Sequence, residues 1–160
     1  MVSYLRSAGR RRIGTVTVTG PLDMPGGPQR LAGYRDIMAG AAAPELIAHG
    51  DCSEASGAAA TELPLRRAPD LDGLFVGSDL MARGAMRALA RAGRRVPQDV
   101  AVGGFDDSPA AATTDPPLTT IRQPWQRISS ERTRLLLGQI DGDPPAAVIL
   151  PTELVRRGSA

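Results

Sequence analysis

Short apolar, β-branched runs alternate along the chain with stretches whose apolar residues recur every three to four positions. The two periods predict strands and helices in alternation. RIGTVTVTG (12–20) is a strand that ends on Gly-Pro. PQRLAGYRDIMAGAAA (28–43) puts Leu31, Tyr34, Met38 and Ala41 at helical spacing, with Pro28 suited to a first turn. ELIAHG (45–50) predicts a second strand. SEASGAAATELPLRRA (53–68) predicts a second helix, capped by Ser53 and kinked or shortened by Pro64. LDGLFVGSD (71–79) is a third strand. The helix that follows, LMARGAMRALARAG (80–93), sets Met81, Ala85, Leu89 and Ala92 on one face and Arg83, Arg87 and Arg91 on another. VPQDVAVGGFDD supplies a fourth strand, and LTTIRQ (118–123) a further short one. WQRISSERTRLLLGQI (125–140) is a helix with Trp125, Ile128, Arg132 and Leu135 in register, and AAVILPTELVRRGS closes with one or two strands around Pro151. The strands are continuously apolar rather than alternating, which predicts an open, mostly parallel α/β sheet with helices on both faces. No internal repeat is visible, and the Gly/Pro/Ala-rich loops at 20–28 and 108–117 are too short to link domains.

Composition narrows the chemistry. A length of 160 residues suits one domain, or a large part of a two-lobed one, and 42% hydrophobic with 22% charged residues is ordinary for a folded chain. No apolar run approaches the roughly 18–20 residues of a membrane span. The opening MVSYLRSAGRRRIG lacks the apolar core of a signal peptide, so a cytoplasmic setting is expected. Cys52 and His49 are the single representatives of their types, which leaves no internal disulfide and no structural zinc site. All 19 basic residues are Arg; Lys and Asn are absent. That disfavours P-loop hydrolysis, Schiff-base and pyridoxal-phosphate catalysis, and phosphoacceptor receivers, all of which use a Lys. A net charge of +2 does not by itself argue for a nucleic-acid partner.

In open α/β sheets, ligands bind outside the carboxyl ends of the strands. Those ends are polar here: Gly20 and Asp23, then His49, Gly50 and Asp51, then Ser78 and Asp79, then Asp106 and Asp107, with Arg30 near the start of the first long helix. Each has a plainer reading. Ser78 and Asp79 fit the N-terminal cap of the next helix, and Asp106–Asp107 fit turn formers before Ser108-Pro109. Alternation along a strand allows at most one of the two acids to face a shared pocket. The Arg83/Arg87/Arg91 stripe fits a solvent face, Cys52 a small apolar contact, and Trp125 a core residue. Carboxylates meeting an Arg in a cleft suit hydroxyl-rich ligands, because Asp accepts paired hydrogen bonds and Arg donates a planar fork. A divalent-metal site built from the Asp residues is the physical competitor, although the spacing is unlike a calcium loop.

Three stretches together carry a resemblance: DLDGLFVGSDLMARGAMRALARAGRRVPQDVAVGGFDDSPAAATTDPPLTTIRQP, the upstream RRIGTVTVTGPLDMPGGPQRLAGYRD, and the closing VILPTELVRRGS. Over nearly the whole chain they resemble the effector-binding domain of lactose/galactose-repressor-type transcription regulators. The resemblance implies a periplasmic-binding-protein-like fold, with a small molecule, usually a sugar or nucleoside-type effector, between two α/β lobes. Ligand binding then changes the lobe arrangement and hence operator affinity. It puts Arg30 of QRLAG in the ligand-clamping position, Ser78 and Asp79 of GSDLMA at the polar wall, Asp106 on the ligand hydroxyls, and Gln123 near the hinge. Cys52 falls where an aromatic wall residue is usual, and Pro64 interrupts a helix the family continues. On this reading residues 12–120 are the C-terminal lobe, and 1–11 and 121–160 are crossover segments, remnants of the other lobe and C-terminal strands. The helix-turn-helix headpiece, about 60 residues in this family, is expected to be absent. The implied partners are a sugar or polyol effector and, in the full-length parent, a second copy of the chain, with DNA met only through the headpiece. No cofactor, catalytic residue, metal or membrane is implied. The alternatives are a solute-binding component of a transport system and a small metal- or phosphate-handling enzyme using Asp79, Asp106 and Asp107.

Overall fold

Six α-helices and six strands follow one another in the computed structural model, which describes residues 1–18 and 26–160. Gly20 and Asp23 lie outside the described residues. The elements are α1 (Val2–Ser7), β1 (Ile13–Val18), α2 (Gly27–Met38), β2 (Ile47–Gly50), α3 (Glu54–Arg67), β3 (Gly73–Val76), α4 (Asp79–Arg91), β4 (Ala101–Gly103), α5 (Pro109–Ala112), β5 (Thr120–Arg122), α6 (Trp125–Ile140) and β6 (Glu153–Val155). Four strands form a parallel sheet in the order β2-β1-β3-β4, with Thr15 between Ile47 and Phe75, and Leu74 beside Val102. β5 and β6 make a separate antiparallel pair. Bridges from Gly103 to Thr119 and from Asp106 to Arg122 lay the β5 segment alongside the continuation of β4.

Every residue of β1 and β3 is buried, as expected of strands covered on both faces. Val16, Val18, Leu74, Val76 and Val102 pack on one face against Met81, Ala85 and Leu89 of α4. Ile13, Phe75 and Ala101 pack on the other against Val2 and Leu5 of α1 and Tyr34 and Met38 of α2. The Tyr34 hydroxyl donates to the Ile13 carbonyl at 2.8 Å, and burial pushes its phenol up to about 12. This sandwich fixes the carboxyl edge of the sheet. Among the described residues no helix is long and apolar enough to cross a membrane.

Several local expectations need correction. α1 occupies the basic opening stretch, where Val2 and Leu5 sit one turn apart and bury against the sheet. α3 runs through Pro64 to Arg67 without stopping. Pro64 lies one turn from the helix end, so the missing N–H and ring clash affect a single hydrogen bond, and the Pro64 carbonyl still accepts from the Ala68 N–H at 2.8 Å. The strands are shorter at their carboxyl ends than the apolar runs that signal them, because the polar residues there belong to turns and helix starts. Arg83 and Arg87 are not a plain solvent stripe: both reach across to Glu54 on α3, Arg83 at 2.6 Å.

Candidate functional site

The polar edge is assembled from five chain segments. Gly26, at φ 96°, precedes α2, and any side chain at Gly27 would overlap the Val18 carbonyl. That close approach seats the helix start on the end of β1 and delivers Arg30 to the sheet edge. The guanidinium lies 4.0 Å above the Phe105 ring and donates to the Gly77 carbonyl at 3.3 Å. Burial lowers the Arg30 pKa from its ordinary value, while Asp106 pulls it back up.

Asp106 follows β4 by three residues, at φ 117°, with Asp107 next at φ 55°. Two successive left-handed residues break the strand alternation, so the division between the acids comes from this turn and not from a period of two. The Asp106 N–H donates to the Ile121 carbonyl at 2.8 Å, and its Oδ1 accepts from Gln123 Nε2 at 2.7 Å. Burial raises the Asp106 pKa; the Gln123 hydrogen bond and the Arg30 charge oppose the rise. Arg30 and Asp106 attract each other, yet no ion pair among the described residues joins them. Both keep capacity for hydroxyl groups placed between them.

Cys52, just beyond β2, is half-buried at φ 71°. Its thiol is raised first by burial and then by Asp106, with Arg30 opposing, and so it stays protonated. The structure therefore brings Arg30, Cys52, Asp106 and Gln123 within electrostatic or hydrogen-bonding reach of one another. Ser78 and Asp79 stand behind this group. Ser78 Oγ caps α4 by accepting from the Met81 N–H at 3.2 Å. The Asp79 carboxylate, 0% exposed, accepts from the Thr120 hydroxyl at 2.6 Å and from the Ser108 N–H at 2.7 Å. Burial raises its pKa, and these hydrogen bonds oppose the rise.

One residue went unread in the sequence and another was misread. Phe105 is the platform under Arg30, and its position directly before the acid pair was the signal. Trp125 is not core: it is 50% exposed, and its indole N–H donates to the Asp106 carbonyl at 3.2 Å. Its place directly after Pro124, where β5 gives way to α6, marks it as an edge residue.

Asp107 does more than hold a turn. Its carboxylate pairs with Arg157 at 2.6 Å and Arg122 at 2.7 Å, tying the loop to β5 and to the returning chain end. Those bonds leave it poorly placed to serve a metal, and among the described residues no group of three acids, His or Cys is arranged to hold one. Burial raises the Asp107 pKa, but the hydrogen bonds and charges of Arg157 and Arg122 together outweigh it and hold the group below its ordinary value. The folded state thus releases this proton more readily than the unfolded one. The associated stability is present above the ordinary carboxylate pKa and is lost as pH falls through the folded value. Asp107→Asn should cost about 1–2 kcal/mol at neutral pH, since Arg122 is half-exposed and only Arg157 is well enclosed. The deficit should shrink towards acid pH in paired denaturation curves; a constant deficit would contradict the assignment.

The same fold is found in known proteins. A family model described as a periplasmic binding protein-like domain matches residues 2–160. The chain belongs to that family. It is 43% identical to the HTH-type transcriptional regulator CelR of Thermobifida fusca over 160 residues, 97% of this chain and 46% of the relative. It is 36% identical to the HTH-type transcriptional repressor CytR of Escherichia coli K12 over 163 residues, 99% of this chain and 47% of the relative. A solved complex of the regulator CelR with cellobiose superposes with a TM-score of 0.92 at 42% identity, covering 99% of this chain and 50% of that one. The chain therefore spans about half the length of the curated relatives it matches. These relatives are transcriptional regulators, and the resemblance read from the sequence stands.

Proposed function

We propose that this chain is the effector-binding part of a LacI-type transcriptional regulator and that its ligand is a neutral sugar or polyol. The observation that carries the reading is the convergence of Arg30, Asp106 and Gln123 at the carboxyl edge of the parallel sheet. An arginine and a carboxylate that attract without pairing offer donors and acceptors in balance, which suits vicinal hydroxyls better than an anion. Cys52 supplies a small, uncharged wall, while Ser78 and Asp79 support the site from behind. Likeness to a regulator solved with cellobiose favours a glucose-type oligosaccharide within this class. Residues 12–120 form the lobe, with α1 packed on it, and 121–160 carry the crossover to a second lobe. No catalytic step, metal or cofactor is required. The parent protein is a cytoplasmic homodimer that meets DNA through a separate headpiece.

The test is a backbone and side-chain amide NMR titration of the chain with millimolar cellobiose, glucose and cytidine, with glucose 6-phosphate as the charged control. Cellobiose is expected to shift the Asp106 amide, the Gln123 side-chain amide and Arg30 Nε. If both sugars and the nucleoside leave those signals in place, or if only the phosphate moves them, the reading fails.

A further inference from the structure

The Asp79 carboxylate is fully enclosed, pairs with no cation among the described residues, and yet joins two of the segments that build the site, the 105–108 turn and β5. Its backbone N–H donates to the Phe105 carbonyl at 2.9 Å, and its Oδ2 accepts from the Ser108 N–H at 2.7 Å. One residue thus grips both ends of the turn 105–108, in which Asp106 and Asp107 adopt left-handed backbones that need outside support. Its Oδ1 accepts from Thr120 at 2.6 Å, at the start of the strand that leads to Gln123. A side chain at Gly104 would overlap Asp79 Oδ1 and would approach Leu118 Cδ2 within 2.7 Å, so the chain just beyond β4 is pressed directly onto the carboxylate. The first turn of α4 favours negative charge there, which explains how the group stays buried without a counter-ion.

We propose that Asp79 is a positioning residue: it locks the Asp106 turn to β5 and so sets the Asp106–Gln123 pair in its binding geometry, without touching ligand itself. This rests on reading Asp106 as the ligand carboxylate. The 2.7 Å bond between Gln123 and Asp106 joins two segments that meet at Asp79 through shorter or equal bonds. Ser78, one residue earlier, caps α4 and fixes where that helix begins. The order of dependence therefore runs from the α4 cap to the Asp79 clamp, and from the clamp to the paired side chains at the surface.

Thr120→Val keeps the shape of the side chain and deletes only its hydrogen bond to Asp79, and Thr120→Ser restores that bond. In amide hydrogen exchange on the folded chain, Thr120→Val and Asp79→Asn should speed exchange of the Asp106 N–H about tenfold, the size of one net hydrogen bond. They should also move the Gln123 side-chain amide signal. The amides of Val16 and Leu74 in the central sheet should keep wild-type protection, and Thr120→Ser should behave as wild type. Cellobiose binding, read on the Arg30 Nε signal, should weaken by a similar factor in the first two variants. Unchanged Asp106 and Gln123 signals in Thr120→Val overturn the proposal, as does equal acceleration across the central sheet or a Thr120→Ser variant that behaves like valine. A wild type that ignores every sugar while the exchange pattern holds would remove the ligand assignment and leave the clamp. A wild type that binds, with variants that bind equally well, would remove the clamp and leave the ligand assignment. Should Asp79→Asn not fold, the Thr120 pair decides alone.

Discussion

Asp106→Asn is expected to weaken sugar binding about 10- to 100-fold, the equivalent of about 1.5–3 kcal/mol for hydrogen bonds to a charged group. The same variant should melt at or above the wild-type temperature at neutral pH. Burial raises the Asp106 pKa, so between the ordinary carboxylate value and the raised one the folded chain holds a proton that the unfolded chain has released. Stability contributed by this group therefore falls as pH rises through that window, and the ionised form is the less comfortable one in the fold. Asparagine is neutral, keeps an oxygen for Gln123 Nε2, and tolerates the φ of 117° better than most residues. Asp106→Ala loses binding as well but leaves the Gln123 donor unpaired, so it should fall below the Asn variant in stability. Arg30→Ala should also lose binding, and with it the cation stacked on Phe105. Calorimetric melts from pH 4 to 7 should show the gap between Asn variant and wild type narrowing or reversing towards acid. An Asn variant that binds as well as wild type, or that melts well below it at pH 7, would remove Asp106 from the binding role.

What the sequence made legible followed from period and punctuation. α4 was readable because Met81, Ala85 and Leu89 share one face and Ser78 stands before them, and the structure buries that face and uses that cap. The parallel sheet was readable because short β-branched and apolar runs alternate with helices, although Thr15 and Thr17 in β1 and His49 in β2 interrupt them. The positions that escaped depend on partners distant in the chain. Nothing local shows that Arg83 and Arg87 meet Glu54, about 30 residues earlier, or that Asp107 is held by Arg157, 50 residues later. Trp125 misled because helical spacing predicts burial only if something covers the helix, and among the described residues of α6 none is buried. The acid pair misled differently: alternation assumes extended backbone, and two left-handed residues abolish it. Nor does the sequence give exposure: Cys52 is half-buried, whereas Ser78 and Asp79 are buried.

Gly57→Ala and Gly84→Ala should each destabilise the chain, although glycine to alanine within a helix ordinarily gains up to about 1 kcal/mol. A Cβ on Gly57 would overlap the Met81 backbone, and one on Gly84 would overlap the Glu54 carbonyl and reach within 2.9 Å of the Ala58 nitrogen. α3 and α4 thus touch backbone to backbone, where no side chain can rotate away, and overpacking of this kind costs about 1–3 kcal/mol or more. Steric cost should therefore exceed the propensity gain at both positions, with Gly84 the more sensitive because its clash involves two backbone groups of α3. The two effects should not add. Either methyl group forces the helices apart, and the gap it opens relieves the second, so the double variant should cost less than the sum by about 0.5–3 kcal/mol. The same displacement acts on binding, because α4 begins at Asp79 and any shift of the helix drags that carboxylate from the Asp106 turn. Urea denaturation of the two single variants and the double gives the coupling directly, and amide exchange at Asp106 in the same samples reports the turn. Additive losses would place the helices too far apart for shared contact, and a stabilised Gly84→Ala would mean that α3 and α4 do not meet through their backbones at all.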